Sequence, residues 1–96
     1  MSRPAVYKFR LFVAGDGPNS TQARLNLVAL CREYLPDRHE IEIIDVMKEP
    51  ARGLAERIFL TPTLVKLSPL PLHTIVGTLS NKQIVLQTLG LDGIPT

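Results

Sequence analysis

Tyr7-Lys8-Phe9-Arg10-Leu11-Phe12-Val13-Ala14-Gly15-Asp16-Gly17-Pro18-Asn19-Ser20 begins with a two-residue hydrophobic period and ends at the start of a helical one. Phe9, Leu11 and Val13 alternate with Lys8 and Arg10, as a strand with one apolar face requires. Gly15-Asp16-Gly17-Pro18 breaks the strand, and Asn19 or Ser20 is placed to cap a helix. With Asn19 as the cap, Gln22 falls at the capping-box spacing. Ala23, Leu27, Leu30, Cys31 and Tyr34 then form an apolar stripe, with Arg24, Arg32 and Glu33 off it. Pro36-Asp37 ends the helix. A second strand is expected from Glu40 to Val46, with Ile41 and Ile43 opposite Glu40 and Glu42. This is a β-α-β unit, and a short connection favours a right-handed crossover between parallel strands.

The rest of the chain alternates in the same way. Pro50 suits the first turn of a second helix, whose apolar face is expected from Ala51, Leu54, Ala55 and Ile58. Thr61-Pro62 stops it. Thr63 to Leu67 favours strand, Ser68-Pro69-Leu70-Pro71 a turn, and His73 to Gly77 a returning strand. Ser80 is placed to cap a last helix carrying Ile84, Val85, Leu86 and Leu89, which Gly90 can end. The expected class is α/β, a single β-α-β-α-β-β-α domain over residues 1–96, and that order is thioredoxin-like. In such domains a proline at the start of the third strand is commonly cis, which is the first reading of Pro62. Pro69 and Pro71 add two more X-Pro bonds, whose isomers differ by only ~0.5–1 kcal/mol and exchange slowly.

Composition narrows the function classes. Ninety-six residues make one compact unit, and 45% hydrophobic with 21% charged residues is ordinary for a folded domain. Fifteen leucines against three Phe, two Tyr and no Trp give an aliphatic core. The net charge of +2 comes from interspersed residues and forms no basic run, so no nucleic-acid partner is expected. No stretch approaches the ~18–20 apolar residues that span a bilayer, and no secretory signal pattern opens the chain. The expectation is a cytoplasmic protein with no membrane partner.

The single cysteine, Cys31, rules out an internal disulfide and a CxxC redox pair. It sits on the apolar stripe, where a free thiol acts as a small hydrophobe. The loop that holds the cysteines of a thioredoxin reads Gly15 to Ser20 here and has no thiol nucleophile. Gly15-Asp16-Gly17 lacks the third glycine of a dinucleotide fingerprint and the lysine of a P-loop, so a tight turn is expected. Ser20, His73 and Asp16 make a triad only on paper, without a nucleophile-elbow pattern. Neither His39 nor His73 has zinc-site spacing, and no metal is expected. Glu40 and Glu42 share a strand face. On an edge strand they form a solvated acidic stripe that discourages aggregation, and such an edge also lets a partner add a strand.

A family resemblance rests on Val13-Ala14-Gly15, Pro18-Asn19-Ser20, Ile44-Asp45-Val46, Pro50, Thr61-Pro62-Thr63-Leu64 with Lys66, and Gly77 with Leu79-Ser80-Asn81. In order and spacing these resemble the KaiB family, from about Tyr7 to Leu91. The resemblance implies a non-enzymatic circadian regulator without a cofactor. It would bind the amino-terminal ATPase ring of a KaiC-type protein, with KaiA as a further partner and a SasA-type kinase as competitor. It also implies two folds: a thioredoxin-like monomer, and a dimeric or tetrameric ground state with a rearranged second half. Residues 7–46 would be the fixed half, and residues 50–91 the half that switches around Pro62, Pro69 and Pro71. By position, the partner-binding surface comprises Glu40, Glu42, Arg57 and Ile58. Arg57 keeps the basic charge usual there, whereas Glu42 stands where the family commonly has lysine. Two other readings stand beside it: an orphan thioredoxin-like protein holding glutathione through Ser20 and the backbone beside Pro62, or a sensory domain related to the SasA kinase. Local preference favours the thioredoxin-like state, because Ser80 to Gly90 carries its own helix signals.

Overall fold

The computed structural model of the chain describes residues 5–93. Its elements are β1 (Tyr7–Val13), α1 (Pro18–Tyr34), β2 (His39–Asp45), α2 (Pro50–Ala55), β3 (Thr63–Ser68), β4 (His73–Val76) and α3 (Lys82–Leu89). They form one four-stranded sheet in the order β2-β1-β3-β4. β1 pairs with β2 in parallel and with β3 antiparallel, and β3 pairs antiparallel with β4. The expected β-α-β-α-β-β-α order is therefore present, and β2 and β4 are the sheet edges, unpaired among the described residues.

Side-chain alternation divides the core in two. Tyr7, Phe9, Leu11 and Val13 point to one face with Leu64, where α1 contributes Ala23, Leu27, Leu30 and Cys31 and α3 contributes Val85, Leu86 and Leu89. The other face carries a smaller cluster of Phe12, Ile44 and Val65, closed by Val46, Ile58 and Leu67. Sequence patterning placed the inner residues of β1 correctly and missed Phe12, which is also fully buried. On β2 the alternation holds, but the deeply buried residue is Ile44, on the glutamate side, while Ile43 is 41% exposed. Val46 and Ile58 close over Ile44, and among the described residues nothing equivalent covers Ile43.

The helix ends differ from expectation in detail. α1 starts at Pro18 after Gly17 and not after Asn19; proline supplies a pre-set φ and needs no partner for a missing N–H. Gln22 makes no capping box and donates to Asn26 Oδ1 at 3.1 Å. At α3 the cap is Asn81, whose Oδ1 accepts from Ile84 N at 3.2 Å, and not Ser80. Ser80 instead shares a 2.7 Å hydrogen bond with Thr78. Gly90 ends α3 at φ 75°, as read from the sequence.

α2 departs furthest. Ala51, Leu54 and Ala55 do not face inward: Leu54 is 69% exposed, and within the helix only Gly53 is buried. The cause is close approach. A Cβ at Gly53 would lie 3.0 Å from Val46 Cγ1, so the backbone of α2 itself sits against the strand end. Thr61–Pro62, Ser68–Pro69 and Leu70–Pro71 are all cis, where sequence reading expected one cis bond at Pro62. Lys66 is 4% exposed, with its ammonium 5.8 Å from the centre of the Tyr7 ring. Burial lowers its pKa.

Candidate functional site

The register of two parallel strands builds the first part of the site. Lys8 stands opposite Glu40 and Arg10 opposite Glu42, so two bases on β1 meet two acids on β2. Arg10 Nε donates to Glu42 Oε1 at 2.8 Å, and its Nη1 reaches Glu56 Oε2 at 2.7 Å. Arg52 Nη1, from α2, donates to the second oxygen of Glu42 at 3.0 Å. Glu42 is thus gripped by two guanidinium groups. The Arg52 hydrogen bond, then that of Arg10, lowers its pKa below the ordinary carboxylate value. Both glutamates are exposed, as expected of a solvated edge stripe, and to this the structure adds the two ion pairs of Glu42. Glu40 carries no ion pair among the described residues, whereas Glu42 links β1 and α2 at the surface through Arg10 and Arg52.

Arg57 follows α2 and adopts φ 58°, a left-handed conformation that is unfavourable for a residue with a Cβ. Around it Arg57 N donates to Leu54 O at 3.1 Å and Ile58 N to Gly53 O at 2.8 Å. That pair of bonds is the Schellman helix ending. α3 ends with the same pair, Gly90 N to Gln87 O and Leu91 N to Leu86 O. There the left-handed residue is glycine, and here it is arginine. In both endings the next residue, Leu91 or Ile58, packs against a hydrophobic cluster. Asp37 and Leu79 are also left-handed, at φ 57° and 62°; Arg57 is the one of the three that sets a cation on a groove.

The four residues expected on one partner surface lie on one side of the sheet but line two grooves. Glu40 and Glu42 border a groove with Lys8, Arg10, Ile41 and Leu67 near the β2 edge. Arg57 and Ile58 border another with Phe59, Leu60, Thr74 and Val76 at the β4 edge. α2 bridges them, tied by Arg52 to Glu42 and leading directly into Arg57. The roles of Arg10, Arg52 and Glu56 were missed by sequence reasoning. The legible signal was the matching i, i+2 spacing of bases on one strand and acids on the next, which shows only once the strands are paired in register.

A second anchor holds the strand ends together. The Asp45 carboxylate accepts from Gly15 N at 3.1 Å and from Met47 N at 2.9 Å. These two backbone bonds lower its pKa, Gly15 first. Folding therefore favours the ionised form, so the contribution is complete above the unfolded pKa and is lost as pH falls through the folded one. Replacing Asp45 by Asn should lower the melting temperature at pH 7. The gap between parent and variant should shrink below about pH 4. A pH series of thermal melts checks this, and a gap independent of pH would assign the anchor to hydrogen bonding without charge.

Other candidate chemistry does not assemble. Ser20 is buried and its Oγ accepts from Ala14 N at 3.2 Å, so it is committed to the strand-to-helix turn and is not displayed to a ligand. Asp16 faces Arg24 at 3.8 Å, and His73 lies on β4 opposite Lys66, so the paper triad is not formed. His39 Nδ1 lies 2.7 Å from Leu35 O. Among the described residues no three His, Cys, Asp or Glu side chains converge as metal ligands. Cys31 is fully buried, and burial pushes its thiol pKa up to about 12, far from a reactive thiolate. No helix among the described residues is long and apolar enough to cross a membrane.

Comparison with known proteins adds identity to this geometry. By architecture the chain is similar to chloroplastic thioredoxin z, with a TM-score of 0.74 at 21% identity over 91% of this chain and 79% of that one. It is also similar to the amino-terminal domain of SasA from Synechococcus elongatus, with a TM-score of 0.62 at 18% identity over 100% and 94%. These likenesses establish a thioredoxin-like fold. In sequence it is 45% identical to circadian clock protein KaiB3 of Synechocystis sp. over 86 residues, which is 90% of this chain and 82% of that protein. It is 38% identical to the circadian clock oscillator protein KaiB of Synechococcus elongatus, covering 96% and 88%. Residues 10–91 match the KaiB domain. The chain belongs to the KaiB family of circadian clock proteins.

Proposed function

We propose that this chain is a non-enzymatic, cytoplasmic partner switch that binds the amino-terminal ATPase ring of a KaiC-type protein. The observation that carries the reading is Arg57, an exposed arginine held left-handed at a helix ending that its own counterpart, Gly90, makes with glycine. Arg57 and Ile58 form the contact core in this proposal, with Glu40 as an accessory charge. Glu42, exposed beside it, also ties α2 to the sheet through Arg52. The β2 edge is the place for KaiA where a KaiA exists, and a SasA-type kinase competes for the ring. The switching half is assigned to residues 50–91 around Pro62, Pro69 and Pro71, with residues 7–46 fixed. The thioredoxin-like state is the binding monomer, and the rearranged state is the dimer or tetramer.

Capture by a purified KaiC-type ring from the same organism, with ATP and with ADP, tests the proposal. The parent chain should be retained in at least one nucleotide state. Arg57→Glu should weaken retention by roughly tenfold, because like charge at an interface opposes docking. Equal retention of parent and variant would remove Arg57 from the surface, and no retention in either state would remove the ring as partner.

A further inference from the structure

The two open edges of the sheet differ in chemistry. β2 is flanked by the charged side chains of Glu40 and Glu42, whereas β4 reads His73-Thr74-Ile75-Val76 and carries no carboxylate, lysine or arginine. Gly77 N donates to Pro62 O at 2.9 Å, and the register sets Ile75 opposite Leu64 and His73 opposite Lys66. Pairing in an antiparallel ladder alternates, so the backbone groups of Ile75 and His73 face β3. Those of Thr74 and Val76 therefore face outward. The Thr74 and Val76 side chains line an open groove of about 170 Å³ with Phe59 and Leu60. Phe59 is 79% and Val76 56% exposed, and no charge on the strand blocks the edge.

Arg57 is the one charged residue lining this groove, and among the described residues no carboxylate lies within ion-pair distance of it. A second copy of β4 would bring no carboxylate to it. We propose that the β4 edge takes an extended segment of another protein, which adds a fifth strand through Thr74 and Val76. Such a segment places an apolar side chain against Phe59, Leu60 and Val76, and a carboxylate on Arg57. Main-chain bonds supply the affinity, and the alternate side chains supply the choice of partner. The inference rests on the proposed function for who the partner is, and on the groove alone for its chemistry.

The probe is a short acetylated and amidated peptide of alternating valine and threonine with one central glutamate, titrated into isotopically labelled protein at low ionic strength. Three twins accompany it: one with lysine for glutamate, one with alternate backbone amides N-methylated, and one with the residue order scrambled. Amide shifts should centre on Thr74 and Val76. The glutamate peptide should bind about threefold more tightly than the lysine peptide, the size of an exposed ion pair. Arg57→Glu should reverse that order, and N-methylation should weaken binding roughly tenfold. Shifts centred on β2, equal binding of the charge twins, full binding of the N-methylated or scrambled peptide, or no binding would each overturn the proposal. So would a sedimentation result showing that the chain dimerises through β4. A KaiC-type ring that still captures the chain after such a failure would leave the proposed function standing without this groove chemistry.

Discussion

Phe12→Ala should cost about 3–5 kcal/mol of stability, the largest effect expected of any single change on the α2 side of the sheet. A domain of this size has on the order of 5–15 kcal/mol in total. Phe12 is fully buried and is the largest member of a cluster whose other buried residues are only Ile44 and Val65. So few neighbours leave little to collapse into the hole. The melting temperature should fall by on the order of 15–30 °C. The change should also reach function, because Ile58 packs on this cluster and holds Arg57 beside it. Thermal and urea unfolding measure the first effect, and ring capture at low temperature, where the variant is folded, measures the second. A loss below about 1 kcal/mol would show that the Phe12 ring does not close that side.

Arg57→Gly should move stability and binding in opposite directions. Removing the Cβ relieves a left-handed conformation that disfavours L side chains by roughly 1–2 kcal/mol, partly offset by the greater freedom of glycine in the unfolded chain. A net gain of about 1 kcal/mol, or roughly 4–8 °C in melting temperature, is expected. Binding to a KaiC-type ring should drop by about tenfold, since the guanidinium is gone while the helix ending is kept. Gly90 is the internal reference. Gly90→Arg should lower stability by a similar amount, because it imposes on α3 the strain that α2 already bears. If Arg57→Gly left both quantities unchanged, the strain argument for Arg57 would fail.

Period and punctuation made most of the fold legible. The strand period of β1, the strand preference of β3 and β4, the stripe of α1 and the glycine stop of α3 were read correctly because each is written in local residues. The inward face of α2 was not, because its packing uses the backbone at Gly53 and the residue after the helix ending, Ile58. A six-residue helix has too few turns for periodicity to report which side is buried. Caps were misplaced by one to three residues, since Gly17 and Asn81 compete with equally suitable neighbours. Of the candidate site, Glu40, Glu42, Arg57 and Ile58 were named by position from the family resemblance. The part Glu42 plays was hidden until strand register brought Arg10 beside it and α2 brought Arg52.

Cys31 and Lys66 are both shielded from solvent, one on the inner face of α1 and one beside Tyr7. They fall on opposite sides of the boundary proposed between residues 7–46 and residues 50–91. A thiol reagent reads the first and an amine reagent the second, each only when its own cover lifts. The chain thus contains a built-in pair of footprinting reporters, one for each proposed half. Comparing their labelling rates in a single sample separates a rearrangement of the second half from opening of the whole molecule, without any engineered tag.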